Sequence, residues 1–363
     1  MWLADMNLYS FIIPVYNCEN YIENCVASIM EIQLNYYEII LIDDGSSDYS
    51  GNVCDALSEK YIQVKCVHQD NQGVSSARNR GVKESSGKYV VFLDADDAIN
   101  PDVFRDKLNL LEQDDSIDLL ISGMSFDYYR KNKCYRREHM GYLYEGKMDK
   151  IHWAEGLYNL YLCNGISSLC NKVFKRIILN EYQLKLRNDM FLYEDLEFVL
   201  RYLAYCNVIY NTPEVVYFYR QQEDEGNAGR RLKRIEHISL LVNQISDAFN
   251  GILARADQDI SQEVVISNRD KILMRLYLIL AREKIAVSGL SEIREICNEM
   301  SDWYMEQPED EKEELSKTEQ AYLNKILKGK AVQLKWEDIK VKLRHRVAVF
   351  VKSTQFYQWC RNR

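Results

Sequence analysis

Residues 88–97 read KYVVFLDADD, a short apolar run that ends in three acidic side chains. An uninterrupted apolar run of this length is typical of a strand that is buried on both faces of a sheet. Similar runs come earlier, SFIIPV at 10–15 and YEIILID at 37–43, and helical patterns separate them. This alternation predicts an α/β fold with a mostly parallel central sheet and flanking helices, whose ligand site lies at the carboxyl ends of the strands.

Three of the predicted strands end in side chains suited to a nucleotide diphosphate. The segments are PVYN at 14–17, DDGSSD at 43–48 and DADD at 94–97. Each of them alone also fits ordinary turn chemistry or the capping of a following helix. Together they converge on one edge of one sheet, which turn chemistry does not require.

The acids after the third of these strands predict a cation site. On an extended backbone, Asp94 and Asp96 point the same way because alternate residues share a face. Two such carboxylates favour one hard cation, Mn²⁺ or Mg²⁺, that bridges to phosphate oxygens. Asp97 is an alternative second ligand.

The segment NQGVSSARNRG at 71–81 indicates a turn followed by a helix. Gly73 permits a tight backbone turn before the helix. Arg78, in the second turn of that helix, is suited to a two-pronged contact with a phosphate or a carboxylate. An ordinary capped helix explains the same letters equally well.

In this order and spacing, the motifs PVYN, IDDGSSD, NQGVSSARNRG and YVVFLDADD resemble family 2 of the glycosyltransferases, from about Tyr9 to Arg220. The resemblance implies a nucleotide-sugar domain with the GT-A fold, which is Rossmann-like. It also implies a metal-assisted, inverting transfer of a sugar from a nucleotide-diphosphate sugar, a UDP-sugar, to an acceptor hydroxyl. The implied acceptor is a glycan or lipid-linked glycan of the bacterial cell surface.

The resemblance also assigns roles to individual residues. Asp94 and Asp96 match the metal-binding DxD motif, and Asp44 matches the acceptor of a uracil-type imide N–H. Asp195, the second residue of a Glu-Asp pair, matches the general base; without the other motifs, the pair would be interpreted as complementing a helix dipole. The residues predicted to bind the nucleotide-sugar are Pro14 and Tyr16, which line the base pocket, with Asn17, Asp44, Asn71, Gly73, Arg78, Asp94, Ala95 and Asp96.

Two other classes of protein compete with this interpretation. A nucleotidyltransferase also uses a metal and an α/β sheet, but the glycine-rich, lysine-containing loop that would grip a triphosphate is absent from the sequence. A non-catalytic sugar-nucleotide binding or assembly subunit has no need of Asp195. Release of a nucleoside diphosphate, dependent on metal and acceptor, separates the transferase from both.

The chain is long enough for more than one domain. At 363 residues it exceeds the size at which one hydrophobic core usually stops growing. We predict a catalytic domain over 1–228 and a helical C-terminal domain over 229–363, which offers a surface for a homodimer. Within the first domain, CNKVFKR at 170–176 is predicted to be a strand or turn near the sheet edge.

The C-terminal end is strongly basic. Eleven Lys and Arg residues face two acids between Lys325 and Arg363, in a chain whose net charge is −9. Apolar residues recur there at steps of three and four, which predicts a basic amphipathic helix within 330–363 that lies on an anionic membrane surface. The alternatives are a core-packing helix with a solvated basic face, or a strand, since KVKLRHRV also alternates.

Composition excludes several other classes. Ten cysteines are scattered without a CxxC pair, which indicates free thiols in a reducing cytosol. The five histidines are isolated in the sequence, so no zinc site is predicted. No nucleic-acid motif is recognised, no secretory signal is expected, and no apolar run is long enough to span a bilayer. The predicted location is the cytoplasm, with peripheral contact to the inner face of the membrane through the basic end.

Overall fold

The structure is a computed structural model, and it describes residues 8–130, 133–222, 237–256, 260–305, 317–331 and 333–334. They fall into two compact units. The first consists of the described parts of Met1–Glu225 and Asp247–Arg269, and the second of the described parts of Gly226–Ser246 and Asp270–Arg363. The predicted domain boundary at 228 lies outside the described residues and stays a prediction.

Ten strands form one sheet in the first unit. They are β1 (Tyr9–Val15), β2 (Tyr37–Asp43), β3 (Val64–His68), β4 (Tyr89–Phe92), β5 (Ala98–Ile99), β6 (Leu119–Arg130), β7 (Lys133–Met140), β8 (Gly146–Asp149), β9 (Lys172–Lys175) and β10 (Val208–Gln222).

The helices of the described residues alternate with the strands at first and follow one another later. They are α1 (Ile22–Met30), α2 (Ser50–Lys60), α3 (Val74–Glu84), α4 (Pro101–Gln113), α5 (Lys150–Glu155), α6 (Leu157–Leu162), α7 (Arg176–Glu181), α8 (Glu194–Leu203), α9 (Ile238–Ala254), α10 (Gln262–Val287), α11 (Leu290–Met305) and α12 (Lys317–Leu327). Helix α4 starts at a proline, and the Asn100 side chain caps it by accepting a bond from the Val103 N–H at 3.4 Å.

The sheet is mixed. Its strand order is β3-β2-β1-β4-β9-β6-β10-β5, with β7 on β6 and β8 on β10. The first four strands in this order are parallel, whereas β9 is antiparallel to both of its neighbours, β4 and β6. The predicted α/β class is therefore confirmed, but the prediction that 170–176 lies near the sheet edge is wrong: β9 occupies the middle of the sheet.

Successive side chains of a strand point to opposite faces of the sheet, and different helices cover the two faces. On β1, Phe11 and Ile13 belong to a buried cluster that includes side chains of α1 and α4, and the Phe11 ring meets the Phe104 ring edge-on at 6.3 Å. The next residue along, Ile12, points to the opposite face, where α3 lies against it at Gly81. The parallel strands are thus buried on both faces, as their continuous apolar sequences require.

An aromatic cluster attaches α8 to the centre of the sheet. The rings of Phe92 on β4, Phe174 on β9 and Phe198 on α8 lie 5.7–6.4 Å apart in edge-on pairs. Such pairs each contribute about 0.5–1.5 kcal/mol beyond their buried area. This packing fixes the start of α8, and therefore Asp195, near the end of β4.

Residues 247–269 belong to the unit that contains the sheet. Lys150 on α5 donates to the Arg255 carbonyl at 2.7 Å, and the Asn268 side chain accepts from the Tyr158 N–H at 3.2 Å. These contacts explain why a segment beyond the sheet strands joins the first unit.

The second unit is helical in its described residues, as predicted. Within this unit, the Tyr277 ring on α10 packs against the Trp303 ring on α11, with centroids 4.7 Å apart. None of the helices among the described residues is both long enough and apolar enough to cross a bilayer. The basic end predicted over 330–363 falls outside the described residues except for 330, 331, 333 and 334.

Candidate active site

The loops after β1 and β2 are joined by Asn17. Its backbone has a positive φ of 53°, and its side-chain oxygen accepts from the Ser47 N–H at 2.9 Å. The Asn17 N–H in turn donates to the Ser46 hydroxyl at 3.1 Å. Gly45 has a φ of +70° and leaves no room for a side chain, since a Cβ there would lie 2.9 Å from the Asn71 nitrogen. The first two predicted motifs therefore form one surface.

Asp44 holds the loop that leads into α3. Its buried carboxylate accepts from the Gln69 side chain at 2.8 Å, the Gln72 N–H at 2.9 Å and the Gly73 N–H at 2.8 Å. Gly73 has a φ of +88°, which a residue with a side chain rarely adopts. A carboxylate offers about four lone-pair positions, so one acceptor position remains for a ligand beside the three bonds made within the described residues.

Arg78 connects two of the predicted catalytic acids. Its Nη2 donates to an oxygen of Asp94 at 2.7 Å, and its Nη1 donates to an oxygen of Asp195 at 2.9 Å. The Arg78 side chain is 4% exposed, so both ion pairs are shielded from solvent on one side. The two-pronged contact predicted for Arg78 thus reaches two carboxylates rather than one.

Asp94 and Asp96 lie in a turn. Strand β4 ends at Phe92, and the Asp97 N–H donates to the Asp94 carbonyl at 3.1 Å. The prediction that the two acids stand on extended backbone is therefore wrong, because the chain turns back toward β5 at this point.

Asp97 faces the protein interior. One of its carboxylate oxygens accepts from the Arg220 N–H at 2.7 Å and the other from the Tyr217 hydroxyl. Burial raises the pKa of Asp97 well above its ordinary value, and the charges of Asp96 and Asp94 raise it further. Among the described residues, Asp94, Asp96 and Asp97 do not form a group of three ligand atoms within 4.8 Å of one another. Both carboxylate oxygens of Asp97 are thus engaged in hydrogen bonds to β10.

Asp195 lies in the first turn of α8. Tyr193, two residues before Asp195, has a left-handed backbone conformation with a φ of 59°. This conformation turns the chain directly into the helix. One Asp195 oxygen accepts from Arg78 and the other from the Leu169 N–H at 3.3 Å. Burial raises the pKa of the Asp195 carboxyl, while the Arg78 cation opposes that shift. A raised pKa makes this carboxylate a better proton acceptor.

Lys172 is a site residue that sequence reasoning did not single out. It is 1% exposed on β9, and its ammonium donates to the Asn171 side chain at 2.7 Å and to the Ser168 carbonyl. Burial lowers the pKa of Lys172 to about 7, although the charge of Asp195 favours the protonated form. The only signal was a lysine directly before the apolar residues Val173 and Phe174 in CNKVFKR.

Tyr217 and Arg220 on β10 also escaped the sequence analysis. The Tyr217 hydroxyl accepts from the Asp94 N–H at 3.2 Å and donates to Asp97. The Arg220 side chain donates to the Asp96 carbonyl at 3.2 Å and stacks over the Tyr129 ring at 3.7 Å. The partners of both residues lie far away in the sequence, so no local pattern indicated them.

The other predicted residues lie along the same edge. Pro14 is half-buried in β1, and Tyr16 beyond it is 50% exposed. Asn71 is exposed in the loop that Asp44 holds, and Ala95 is buried in the turn between the two acids. A pocket opens beside Asp96 and is lined by Tyr21, Asn24, Asp96, Asp97, Ala98, Asp127, Tyr129, Phe218 and Arg220.

The donor set suits a hard cation. Asp94 and Asp96 supply carboxylate oxygens, the ligands that Mg²⁺ and Mn²⁺ prefer. An α/β sheet with such acids after a central strand, and a further acid at a helix start beside them, is the arrangement of a GT-A domain.

Comparisons with known proteins agree with this class. Residues 10–181 match the model of Glycosyl transferase family 2. The uncharacterized glycosyltransferase EpsJ of Bacillus subtilis is 30% identical over 216 residues, which cover 59% of this chain and 61% of EpsJ. The putative glycosyltransferase EpsH of the same organism is 28% identical over 213 residues, which cover 58% of this chain and 60% of EpsH. The matches thus span less than two thirds of either relative.

Solved structures show the same fold. S. aureus TarS 1-349 in complex with UDP superposes with a TM-score of 0.63 at 16% identity, covering 93% of this chain and 91% of that one. A second TarS structure, in complex with UDP-GlcNAc, superposes with a TM-score of 0.62 at 16% identity, covering 93% and 92%. The chain thus shares the fold of these structures, and the predicted GT-A fold with following helices is confirmed.

Proposed function

We propose that the protein is an inverting glycosyltransferase that moves a sugar from a UDP-sugar to an acceptor hydroxyl in the synthesis of a cell-surface glycan. One observation carries the proposal: Arg78 bonds Asp94 with one nitrogen and Asp195 with another. A predicted cation ligand and a predicted base therefore lie on two sides of one buried guanidinium. A displacement with inversion needs these two functions on opposite faces of the sugar.

The donor is proposed to be a nucleotide-diphosphate sugar, with uridine as the nucleoside. TarS, whose fold this chain shares, was crystallised with UDP and with UDP-GlcNAc. Asn17 and Asp44 lie in the joined loops after β1 and β2, and the Gly73 N–H of the loop before α3 donates to Asp44. This surface is the proposed place of the nucleotide.

Asp94 and Asp96 are proposed to hold Mn²⁺ or Mg²⁺. When bound, such a cation acts as a Lewis acid that neutralises charge on a departing nucleotide diphosphate. The Tyr217 hydroxyl and the Arg220 side chain hold the backbone of the turn that carries both acids. Asp97 shares that supporting role, because its oxygens are bonded to β10.

Asp195 is proposed to take the proton from the acceptor hydroxyl. Its side chain is 20% exposed, which leaves a face open to an acceptor. The Leu169 N–H and Arg78 orient its two oxygens, and general base catalysis of this kind contributes roughly 10²–10⁴ in rate. The acceptor is proposed to be a glycan or lipid-linked glycan. The protein is proposed to approach it at an anionic membrane surface through 330–363. A homodimer formed through the C-terminal helices is a further proposal.

The test is a screen of nucleotide-sugars against the purified chain with Mn²⁺. A bound donor should raise the melting temperature, since a ligand that binds only the folded state stabilises it. The same donor should release nucleoside diphosphate when an acceptor is added, and Asp94→Asn should lose both responses to Mn²⁺. Release of pyrophosphate would instead indicate a nucleotidyltransferase. Donor binding without any turnover, across a range of glycan acceptors, would indicate a binding subunit.

A further inference from the structure

A second group of possible metal ligands lies apart from the candidate active site. Asp55 on α2 and Cys66 and His68 on β3 place one ligand atom each within 4.8 Å of the others. Strand β3 is the first in the strand order, at an edge of the sheet. Cys66 and His68 stand two residues apart on this strand and therefore share a face.

The spacing of the three atoms matches tetrahedral zinc. The Cys66 sulfur lies 3.5 Å from His68 Nε2, and that nitrogen lies 3.0 Å from the Asp55 carboxylate. Zinc bonds of about 2.3 Å to sulfur and about 2.0–2.1 Å to nitrogen and oxygen put the first pair about 3.6 Å apart and the second about 3.3 Å apart. Small side-chain adjustments suffice to close a coordination sphere.

The His68 ring is already oriented as in a zinc site. Its Nδ1 lies 2.8 Å from the carboxylate of Asp43, whose side chain is 8% exposed. A carboxylate on the second nitrogen fixes the ring and directs Nε2 outward, toward Asp55 and Cys66. Asp43 itself is held by the Ser46 N–H at 3.1 Å, so the ring rests on a fixed support.

The ligand chemistry selects zinc over the cations expected at Asp94 and Asp96. A thiolate and an imidazole favour Zn²⁺, whereas Mg²⁺ and Mn²⁺ prefer oxygen ligands alone. Water completes the sphere, since the Asp55 side chain is 56% exposed.

We propose that Asp55, Cys66 and His68 bind one Zn²⁺, which fastens α2 to the edge strand β3. The cation replaces the proton shared between His68 Nε2 and Asp55 and the proton on the Cys66 sulfur. In the absence of the metal, the same residues form an ion-pair network around the His68 ring. Metal binding at this site can be tested without a sugar substrate.

The test is titration of the full chain, after treatment with a chelator, with Co²⁺ and then Zn²⁺. A thiolate-to-cobalt absorption band should appear, saturate at one metal per chain and disappear when Zn²⁺ displaces Co²⁺. Mg²⁺ in excess should leave the band unchanged. Zn²⁺ should also raise the melting temperature.

Variants identify the ligands. Cys66→Ser should abolish the band, and His68→Gln should weaken Zn²⁺ binding at least tenfold, while melting curves without metal check that both variants fold. Asp43→Asn should weaken binding roughly 10–100-fold, as loss of an outer-shell carboxylate does. Cys18→Ser is the matched control, because that thiol lies near Asp96 and reports any cobalt bound at the active site. No band, or a band that Cys66→Ser retains, would overturn the proposal.

Discussion

Arg78 brings together side chains that belong to separate motifs in the sequence. Each of its terminal nitrogens bonds a different carboxylate, on Asp94 and on Asp195. Removing either acid would leave a buried cation with one partner, a change that is costly in a site of low polarity. Single substitutions here therefore affect both binding and positioning, and a test of catalysis must separate the two.

Asp195→Asn provides that separation. The amide keeps the size and one acceptor oxygen of the carboxylate but cannot take up a proton from the acceptor hydroxyl. We expect nucleotide-sugar and Mn²⁺ binding to remain, measured by calorimetry, and transfer to fall by roughly 10²–10⁴, measured as nucleoside diphosphate release. Asp189→Asn, in the exposed loop before α8, is the matched control. Near-normal transfer by Asp195→Asn would remove this residue from the mechanism.

Lys172 should set the pH at which Asp195 becomes active. The positive charge of Lys172 lowers the pKa of Asp195, against the effect of burial. In Lys172→Met this charge is lost, so the Asp195 carboxyl stays protonated to a higher pH. The acidic limb of the kcat/KM profile should therefore move to higher pH.

Lys175→Met is the control for that profile. Lys175 lies on the same strand but bonds Asp115 at the surface, so its variant should leave the acidic limb unchanged. If both variants shifted the limb equally, a general loss of strand packing would be the cause.

The position of the active site depends on how closely two helices approach the sheet. Helix α3 delivers Arg78 and lies against β1, whereas α8 delivers Asp195 and is attached through the Phe198 ring. The approach of α3 requires Gly81, because a Cβ there would lie 2.2 Å from a methyl carbon of Ile12. The sequence showed a glycine inside a helical pattern, but not the side chain that it accommodates.

Gly81→Ala should destabilise the protein. Alanine stabilises a helix by about 1 kcal/mol relative to glycine. Overpacking against a buried side chain destabilises the folded state by about 1–3 kcal/mol, and we expect the clash with β-branched Ile12 to lie at the upper end of that range. Urea unfolding should show a lower midpoint. The same substitution in an Ile12→Ala background should cost less, since the opposing methyl is gone. Equal costs in both backgrounds would show that Ile12 is not the cause.

At the scale of the whole molecule, charge is distributed unevenly along the chain. The end from Lys325 onward carries most of its charge as Lys and Arg, while the chain as a whole has a net charge of −9. An anionic surface would therefore attract one end of the protein and repel the rest. This asymmetry follows from composition, whatever conformation the basic end adopts.

A triple substitution of Lys335, Lys342 and Arg346 to Gln tests the role of the basic end in the full chain. We expect less sedimentation with liposomes rich in anionic lipid, because each basic residue near such a surface contributes about 1 kcal/mol. Binding of the parent protein should also weaken as salt rises, through screening. Liposomes of neutral lipid are the control. Unchanged sedimentation would contradict membrane docking through this segment.

Sequence alone predicted the α/β class, the parallel strands β1, β2 and β4, the turn at Gly73 and the acids at the strand ends. These features are local: continuous apolar runs report strands buried on both faces, and a glycine reports a backbone conformation. The family resemblance added Asp195, whose role no local pattern distinguishes from the capping of a helix.

Only the tertiary structure decided which side chains meet. It placed β9 between β4 and β6, and with it Lys172 near Asp195. The sequence did not predict this placement, because an antiparallel strand within a sheet has the same periodicity as a parallel one. The structure directed the Asp97 side chain inward to Tyr217. Asp94 and Asp96 lie in a turn, although the periodicity had predicted an extended backbone for them. The structure also joined Asp55 to Cys66 and His68 across α2 and β3. Contacts between distant segments depend on packing, which spacing along the chain does not encode.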